Sequence, residues 1–298
     1  MMEHSTQQAS TEPQITIRAI QPDFANGTNP YWFNDNPFTT HMVNTLSFHF
    51  PPGEQMFVKS VNFYRDQITD PELKKAVRAF TGQEMLHSKV HDAFNEWVAS
   101  RVPDAEVYCR EITQILEQRY AERVRSNPLI NLAVTVSLEH MTAIMAATLL
   151  RREDIIAKID PEVRALLIWH AIEEIEHKSV AFDVYQSVGG SYRLRVLAML
   201  LSTFMLTKET IKYQIKLLKH DGELGNWRAA LTHFKETLGP KGYFPAMLKH
   251  YLRFFSPRFH PSKQDDATLV EYWSKQLEQL TPVKVNGKSV FTPSRKEA

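Results

Sequence analysis

The sequence predicts an all-α protein, a four-helix bundle with additional helices on its C-terminal side. Three observations predict it. Helix starts of the Asx-Pro form recur at Asp70-Pro71, Asn127-Pro128 and Asp160-Pro161, where a capping side chain precedes a proline whose missing N–H costs nothing in a first turn. Alternating apolar and polar runs, the mark of strands, are scarce. Glu84-x-x-His87 is echoed by Glu174-x-x-His177, and Glu54 and Glu139 precede the two pairs by 30 and 35 residues, one helix out and one helix back.

Taken in order, residues 1–35 read as a flexible leader. MMEHSTQQASTEPQITIRAI is polar, offers little to bury and lacks the apolar core of a signal peptide. Residues 36–190 are expected to form the bundle, with helices at about 53–67, 71–99, 104–124, 128–151 and 161–187. Pro51-Pro52-Gly53 places Glu54 in a first turn, unless a helical stretch at about 38–48 continues across a kink. Gly189-Gly190 is a stop and Ser191 a cap for a helix at about 191–219. Shorter helices at about 225–237, 242–254 and 266–280 complete an extension over 191–280 packed on the bundle, and 281–298 reads as an irregular tail. The apolar run VLAMLLSTFMLT, from Val196 to Thr207, falls short of the ~18 residues that span a bilayer. It reads as a buried helix, with an interfacial or substrate-tunnel helix as the alternative.

Charge excludes some classes of partner. The 298 residues carry 35 Lys and Arg against 34 Asp and Glu, so no polyanion-binding signal exists and nucleic acid is not expected. The single cysteine, Cys109, allows neither an intramolecular disulfide nor a cysteine zinc site, which fits a reducing, cytoplasmic setting. The partners expected are a small-molecule or lipid-like substrate and an electron-donor protein. IKYQIKLLKHDGEL and MLKHYLRFFSPRFHP mix basic, aromatic and apolar residues; a solvated amphipathic face is the default reading and membrane-surface contact the alternative.

The recurring pairs carry the chemistry. At about 100° per residue, His87 and His91 fall within about 60° of Glu84 on the helical wheel, and His170 and His177 share a sector with Glu174. Glu139 is the only charged side chain between Arg125 and Arg151, among small and apolar neighbours, so it is expected to be buried with no cation on its own helix. A salt bridge from another helix would satisfy one such Glu. For all six residues, Glu54, Glu84, His87, Glu139, Glu174 and His177, shared divalent cations are the better account, because four converging carboxylates repel one another in a medium of low dielectric. His170 reads as a further ligand or as an outer partner, and His91 likewise. Glu173 lies at the edge of the site, bonded to a ligating His or exposed. Glu176 points away and is expected to be solvated. His140 reads as packing or an outer partner, and Tyr64 and Tyr185 as core residues that would approach the cavity only secondarily.

The E…ExxH…E…HxxxExxH pattern over residues 50–187 resembles that of the ferritin-like di-iron carboxylate proteins. The resemblance implies that Glu54, Glu84 and His87 serve one half of a two-metal site and Glu139, Glu174 and His177 the other. His170 ahead of Glu174 is similar to the added ligand of di-iron arylamine N-oxygenases. FPPGE, QEMLHSKVH, WHAIEEIEHKSVAFDVY and SPRFHP resemble a bacterial family of predicted metal-dependent hydrolases, over about residues 40–275.

A Glu/His set without sulfur suits Fe, with Mn or Zn as alternatives. Two metal ions are expected, and the leading reading is an O2-dependent di-iron oxidoreductase that hydroxylates, desaturates or N-oxygenates a small or lipid-like substrate. The alternatives are a hydrolase using a metal-bridging hydroxide and a non-enzymatic iron-binding or ferroxidase protein.

Overall fold

The computed structural model describes residues 14–25 and 28–290. Its first long rod, α1 (Pro37–Asn62), starts after Asn36, whose side chain accepts from the Phe38 and Thr39 N–H groups. The next, α2 (Pro71–Arg101), starts after Asp70, which accepts from Glu72 N–H. They are followed by α3 (Asp104–Ser126), α4 (Leu129–Leu150), a single turn α5 (Glu153–Ile156), α6 (Pro161–His177) and α7 (Val180–Ser187). The C-terminal part holds α8 (Tyr192–His220), α9 (Trp227–Thr237), α10 (Tyr243–Arg253) and α11 (Ala267–Leu280). The architecture is an all-α bundle: α1 packs on α2, α4 packs on α6, and α1–α4 and α2–α6 contacts close the ring. Outside it, α3 lies on α1 and α2, α8 spans α1 and α4, α9 lies on α1, α10 on α4 and α11 on α6.

Four expectations are corrected. The helix expected from about residue 53 does not start at the proline pair; as in the alternative, the stretch before it continues, and α1 runs through Pro51 and Pro52 so that Glu54 sits deep in a rod. Proline at 51 removes the N–H that would reach the Ser47 carbonyl. Asn95 of α2 replaces it, donating its Nδ2–H to Ser47 O at 3.1 Å while its Oδ1 accepts from Ser47 Oγ at 2.7 Å.

The leader is ordered over residues 14–25 and 28–35, with residues 1–13, 26 and 27 lying outside the described ones. Strand β1 (Arg18–Ile20) and the following turns bury Ile20, Phe24, Trp32 and Phe33. The expected irregular tail is regular as far as residue 290, residues 291–298 lying outside the described ones: β2 (Val283–Val285) pairs antiparallel with β1 and with β3 (Lys288–Val290). The hairpin turn is Asn286-Gly287, both at positive φ, a backbone that Asn and Gly reach at least cost.

The helix expected over 161–187 is interrupted at Lys178-Ser179 between α6 and α7, though both residues keep right-handed helical dihedrals.

Two apolar clusters form the core. One gathers Trp32, Phe48, Phe94, Trp169 and Leu217, the other Phe80, Leu132, Val136, Tyr185 and Phe254. On α1, Glu54 falls between Phe48 of the first and Met56 of the second; on α2, Glu84 and His87 fall between Phe80 and Val90. The polar residues thus occupy a layer between two oily ones. By length and composition α4 could cross a membrane, but 67% of its apolar window is buried inside the protein, so it reads as the central helix of the bundle.

Candidate metal centre

Glu54, Glu84, His87, Glu139, Glu174 and His177 meet in that layer, each buried. His177 Nε2 lies 3.1 Å from Glu84 Oε1, 3.3 Å from Glu139 Oε2 and 3.6 Å from Glu174 Oε2. His87 Nδ1 lies 3.7 Å from Glu174 Oε1 and 4.0 Å from Glu84 Oε1. His170 Nε2 lies 2.8 Å from Glu174 Oε1 and 3.8 Å from Glu54 Oε1. Four triads drawn from these residues and His91 have ligand atoms all within 4.8 Å of one another. Every helix of the inner ring supplies part of the set.

The outer nitrogens fix the inner ones. His87 Nε2 faces Glu173 Oε2 at 3.0 Å, and His177 Nδ1 faces Gln83 Oε1 at 3.0 Å. Gln83 Oε1 can only accept, so His177 Nδ1 donates to it and the ring turns its Nε2 inward. His170 Nδ1 meets His91 Nε2 at 2.8 Å, and His91 Nδ1 meets Ser47 Oγ at 2.9 Å. With both nitrogens engaged in this way, His91 supports His170 from outside.

Glu173 is fully buried and Glu176 nearly so, against the expectation that Glu176 is solvated. The back of α6 is covered by the N-terminal strand. Arg18 makes a two-pronged contact with Glu176, at 2.8 and 3.0 Å, and its N–H donates to Glu173 Oε1 at 2.8 Å. Gln83 Nε2 donates to Glu176 Oε2 and to Thr16 O. Nothing in the sequence near Glu173 signals Arg18, which lies 155 residues away. His140 stacks on Phe254 away from the cluster, Tyr185 donates its hydroxyl proton to Ser191 O, and Tyr64 sits in the second apolar cluster.

Among the described residues, none of Glu54, Glu84, Glu139 and Glu174 has a Lys or Arg ion-pair partner. Burial raises the pKa of Glu54 and Glu84 well above the carboxylate range, and neighbouring carboxylates add to it. Burial pushes Glu139 up to about 7, against the pull of His177. For His177 burial favours the neutral ring, but Glu139 and Glu174 together outweigh it and raise the pKa. Burial opposes ionisation of Glu174, yet His177 and His170 hold it well below its usual value. Burial and the His170 charge lower His87 and His91.

These shifts set a sign for stability. Glu54, Glu84 and His177 keep protons in the folded state that the unfolded chain has released, so stability falls as pH rises through their raised values. His87 and His91 act in the opposite sense, but only below their unfolded value of 6.5. The chelator-treated protein is therefore expected to lose stability as pH rises above the 6.5 of an ordinary imidazole, through the value of about 7 to which Glu139 is pushed. Urea denaturation across that range measures it, and a flat or rising profile would contradict these charge states.

The donor set fits divalent metal. Nine buried atoms, both oxygens of Glu54, Glu84 and Glu139, Glu174 Oε2, His87 Nδ1 and His177 Nε2, make no hydrogen bond and turn toward one centre. Unpaired buried carboxylate oxygens cost several kcal/mol, and metal ions satisfy them. A cavity of about 280 Å³ reaches Glu54, His170 and Glu174 from the α3–α8 side, with Met56, Phe57, Leu138 and Leu201 in its walls. A second, of about 160 Å³, reaches His170 and Glu174 from the α9–α10 side, and Phe50, Thr142 and Met145 line both.

A family model described as "Predicted metal-dependent hydrolase" matches residues 16–265. No curated protein and no solved structure matches the chain.

Proposed function

The chain belongs to the predicted metal-dependent hydrolase family, and from that premise we propose a dinuclear metal hydrolase acting on a lipid-like substrate with an anionic head. The observation that carries the reading is the convergence of nine buried ligand atoms that make no hydrogen bond, next to an apolar cavity. Glu54, Glu84 and His87 would hold one ion and Glu139, Glu174 and His177 the other, with His170 as a further nitrogen ligand. When bound, two such ions supply Lewis acidity and an activated water. Fe, Mn and Zn all suit a Glu/His set without sulfur.

The chain's own residues do the rest. Glu173 and Gln83 fix the orientations of His87 and His177. The cavity reaches Glu54 and Glu174 but is not lined by Glu84 or Glu139, so substrate meets the first pair. Phe50 and Met145 exclude bulk water where the cavities meet the site. Arg119 and Arg123 line the larger cavity one helical turn apart on α3, and neither has an acidic ion-pair partner among the described residues. They suit the carboxylate or phosphate of an amphiphile whose chain lies along the apolar wall.

A second reading, O2-dependent oxidation by two irons, is favoured by one specific observation: His170 adds a nitrogen ligand beside Glu54 and Glu174 at the dry end of the cavity. One experiment separates the two. The protein is loaded with Fe(II), Mn(II) or Zn(II), its metal is counted by plasma mass spectrometry, and long-chain esters with and without a terminal carboxylate are offered with O2 present or absent. Two ions per chain and ester cleavage indifferent to O2 are expected. Arg119→Gln with Arg123→Gln should lower kcat/KM for the anionic ester about ten-fold or more and spare the neutral one. Consumption of O2 with an oxidised product, and no ester cleavage, would replace hydrolysis with the second reading.

A further inference from the structure

The chain exposes 20 large apolar side chains among its described residues, and 14 of them fall between Leu197 and Leu252. They are not scattered. On α8, Leu197, Leu200, Leu201, Phe204, Ile211 and Ile215 lie within about 60° of one meridian, a stripe about 27 Å long. On α9 and its C-cap, Trp227, Leu231, Phe234 and Leu238 follow one another at i, i+4, i+7 and i+11. On α10, Phe244, Leu248 and Leu252 repeat every four residues. All three helices pack on α1 or α4, and α9 and α10 also touch each other, so the stripes lie on neighbouring helices. VLAMLLSTFMLT, expected as a buried helix, therefore turns one face to the core and an equally apolar face outward.

Charge accompanies the stripes. Residues 192–254 carry eleven Lys and Arg against four Asp and Glu, in a chain whose totals are 35 and 34. Lys208, Lys212, Lys216 and Lys219 run along the α8 stripe, Arg228 and Lys235 flank that of α9, and Lys249 and Arg253 belong to α10. Exposed apolar stripes flanked by basic side chains, with a Trp at 66% exposure, are the composition of helices that lie in a bilayer interface. A patch of this size is rare on a monomer that meets only water.

The cavities supply the connection to function. Leu197 and Leu201 are more than half exposed and also line the larger cavity; Phe244 is exposed and lines the smaller one. The walls that lead to Glu174 are thus continuous with the outer apolar surface. We propose that α8, α9 and α10 dock the enzyme on an anionic lipid bilayer, so that an amphiphilic substrate passes from the membrane into the cavity without crossing water. The entry route rests on the lipid-like substrate proposed above; the docking itself does not.

Flotation of the full chain with phosphatidylcholine vesicles, with and without phosphatidylglycerol, tests this in the presence of chelator. Binding to the anionic vesicles is expected, weaker at high salt. Leu200→Glu with Phe204→Glu, and separately Trp227→Glu with Phe234→Glu, should weaken it at least about ten-fold with helicity unchanged by circular dichroism. Absence of binding by the parent chain, or undiminished binding by both variants, would overturn docking. So would a dimer in sedimentation that the same substitutions dissolve and that prevents vesicle binding, because the face would then belong to a second copy. Vesicle binding needs no metal, so its failure leaves the hydrolytic reading standing, and failure of hydrolysis leaves docking standing.

Discussion

Glu84→Ala is expected to abolish metal binding while leaving the helical content unchanged. Glu84 belongs to two of the four ligand triads, one with Glu54 and His87 and one with Glu139 and His177, so its loss takes a donor from both. The fall in affinity should exceed the roughly 10–100-fold that removal of a supporting outer partner costs. The metal-free fold should respond in the opposite direction. Glu84 is fully buried, its oxygens make no hydrogen bond, and Glu139, Glu174 and Glu54 all oppose its ionisation. The isosteric Glu84→Gln should therefore stabilise the chelator-treated protein at about pH 8 relative to the parent, because the amide folds without the cost of protonating a buried carboxyl and without opening a cavity. Metal content by plasma mass spectrometry and urea midpoints read the two effects. Unchanged metal content in the Ala variant would remove Glu84 from the centre, and a less stable Gln variant would contradict the electrostatic account.

Arg18→Ala is expected to cost about 3–5 kcal/mol, the range for breaking a buried ion pair from one side. Its guanidinium meets Glu176 through two nitrogens, and its backbone N–H reaches Glu173. Without the side chain, Glu176 keeps only the Thr16 N–H and Gln83 donors, and Glu173 loses the nearby positive charge that offsets its burial. The damage should extend to the centre, because Glu173 orients His87 and Gln83 orients His177. A drop in metal affinity of about 10–100-fold should accompany the drop in stability, and Arg18→Lys should restore part of the stability without the two-pronged geometry. A urea midpoint and metal affinity equal to those of the parent would show that strand β1 merely covers α6.

The contrast between these two residues marks what could be read from the chain. Glu84 and His87, like Glu174 and His177, stand three apart on one helix, and the geometry of that helix alone puts each pair on one face. Glu139 announced its burial because its helix offers no other charge. Helix positions followed from caps and prolines whose effects are local, and α2, α3, α4 and α8 begin and end close to where the sequence places them. Pro51-Pro52 misled because the cost of a proline inside a helix depends on whether another helix can supply the missing donor, and Asn95 does so. The β2–β3 hairpin had a legible signal in Asn286-Gly287 between short alternating runs. Its pairing with β1, which joins Ile20 near one end of the chain to Val283 near the other, had none.

By itself the sequence determined the helical class, the rods and the sectors of those rods that carry carboxylates and imidazoles, because each depends on residues within a few positions of one another. Only the tertiary structure decided that Glu176 and Glu173 are buried, that Arg18 answers them, that His91 stands behind His170, and that the apolar run on α8 keeps one face outward. Those outcomes depend on what lies across a helix rather than along it, and burial, pairing and charge balance are set by neighbours that are remote in the chain.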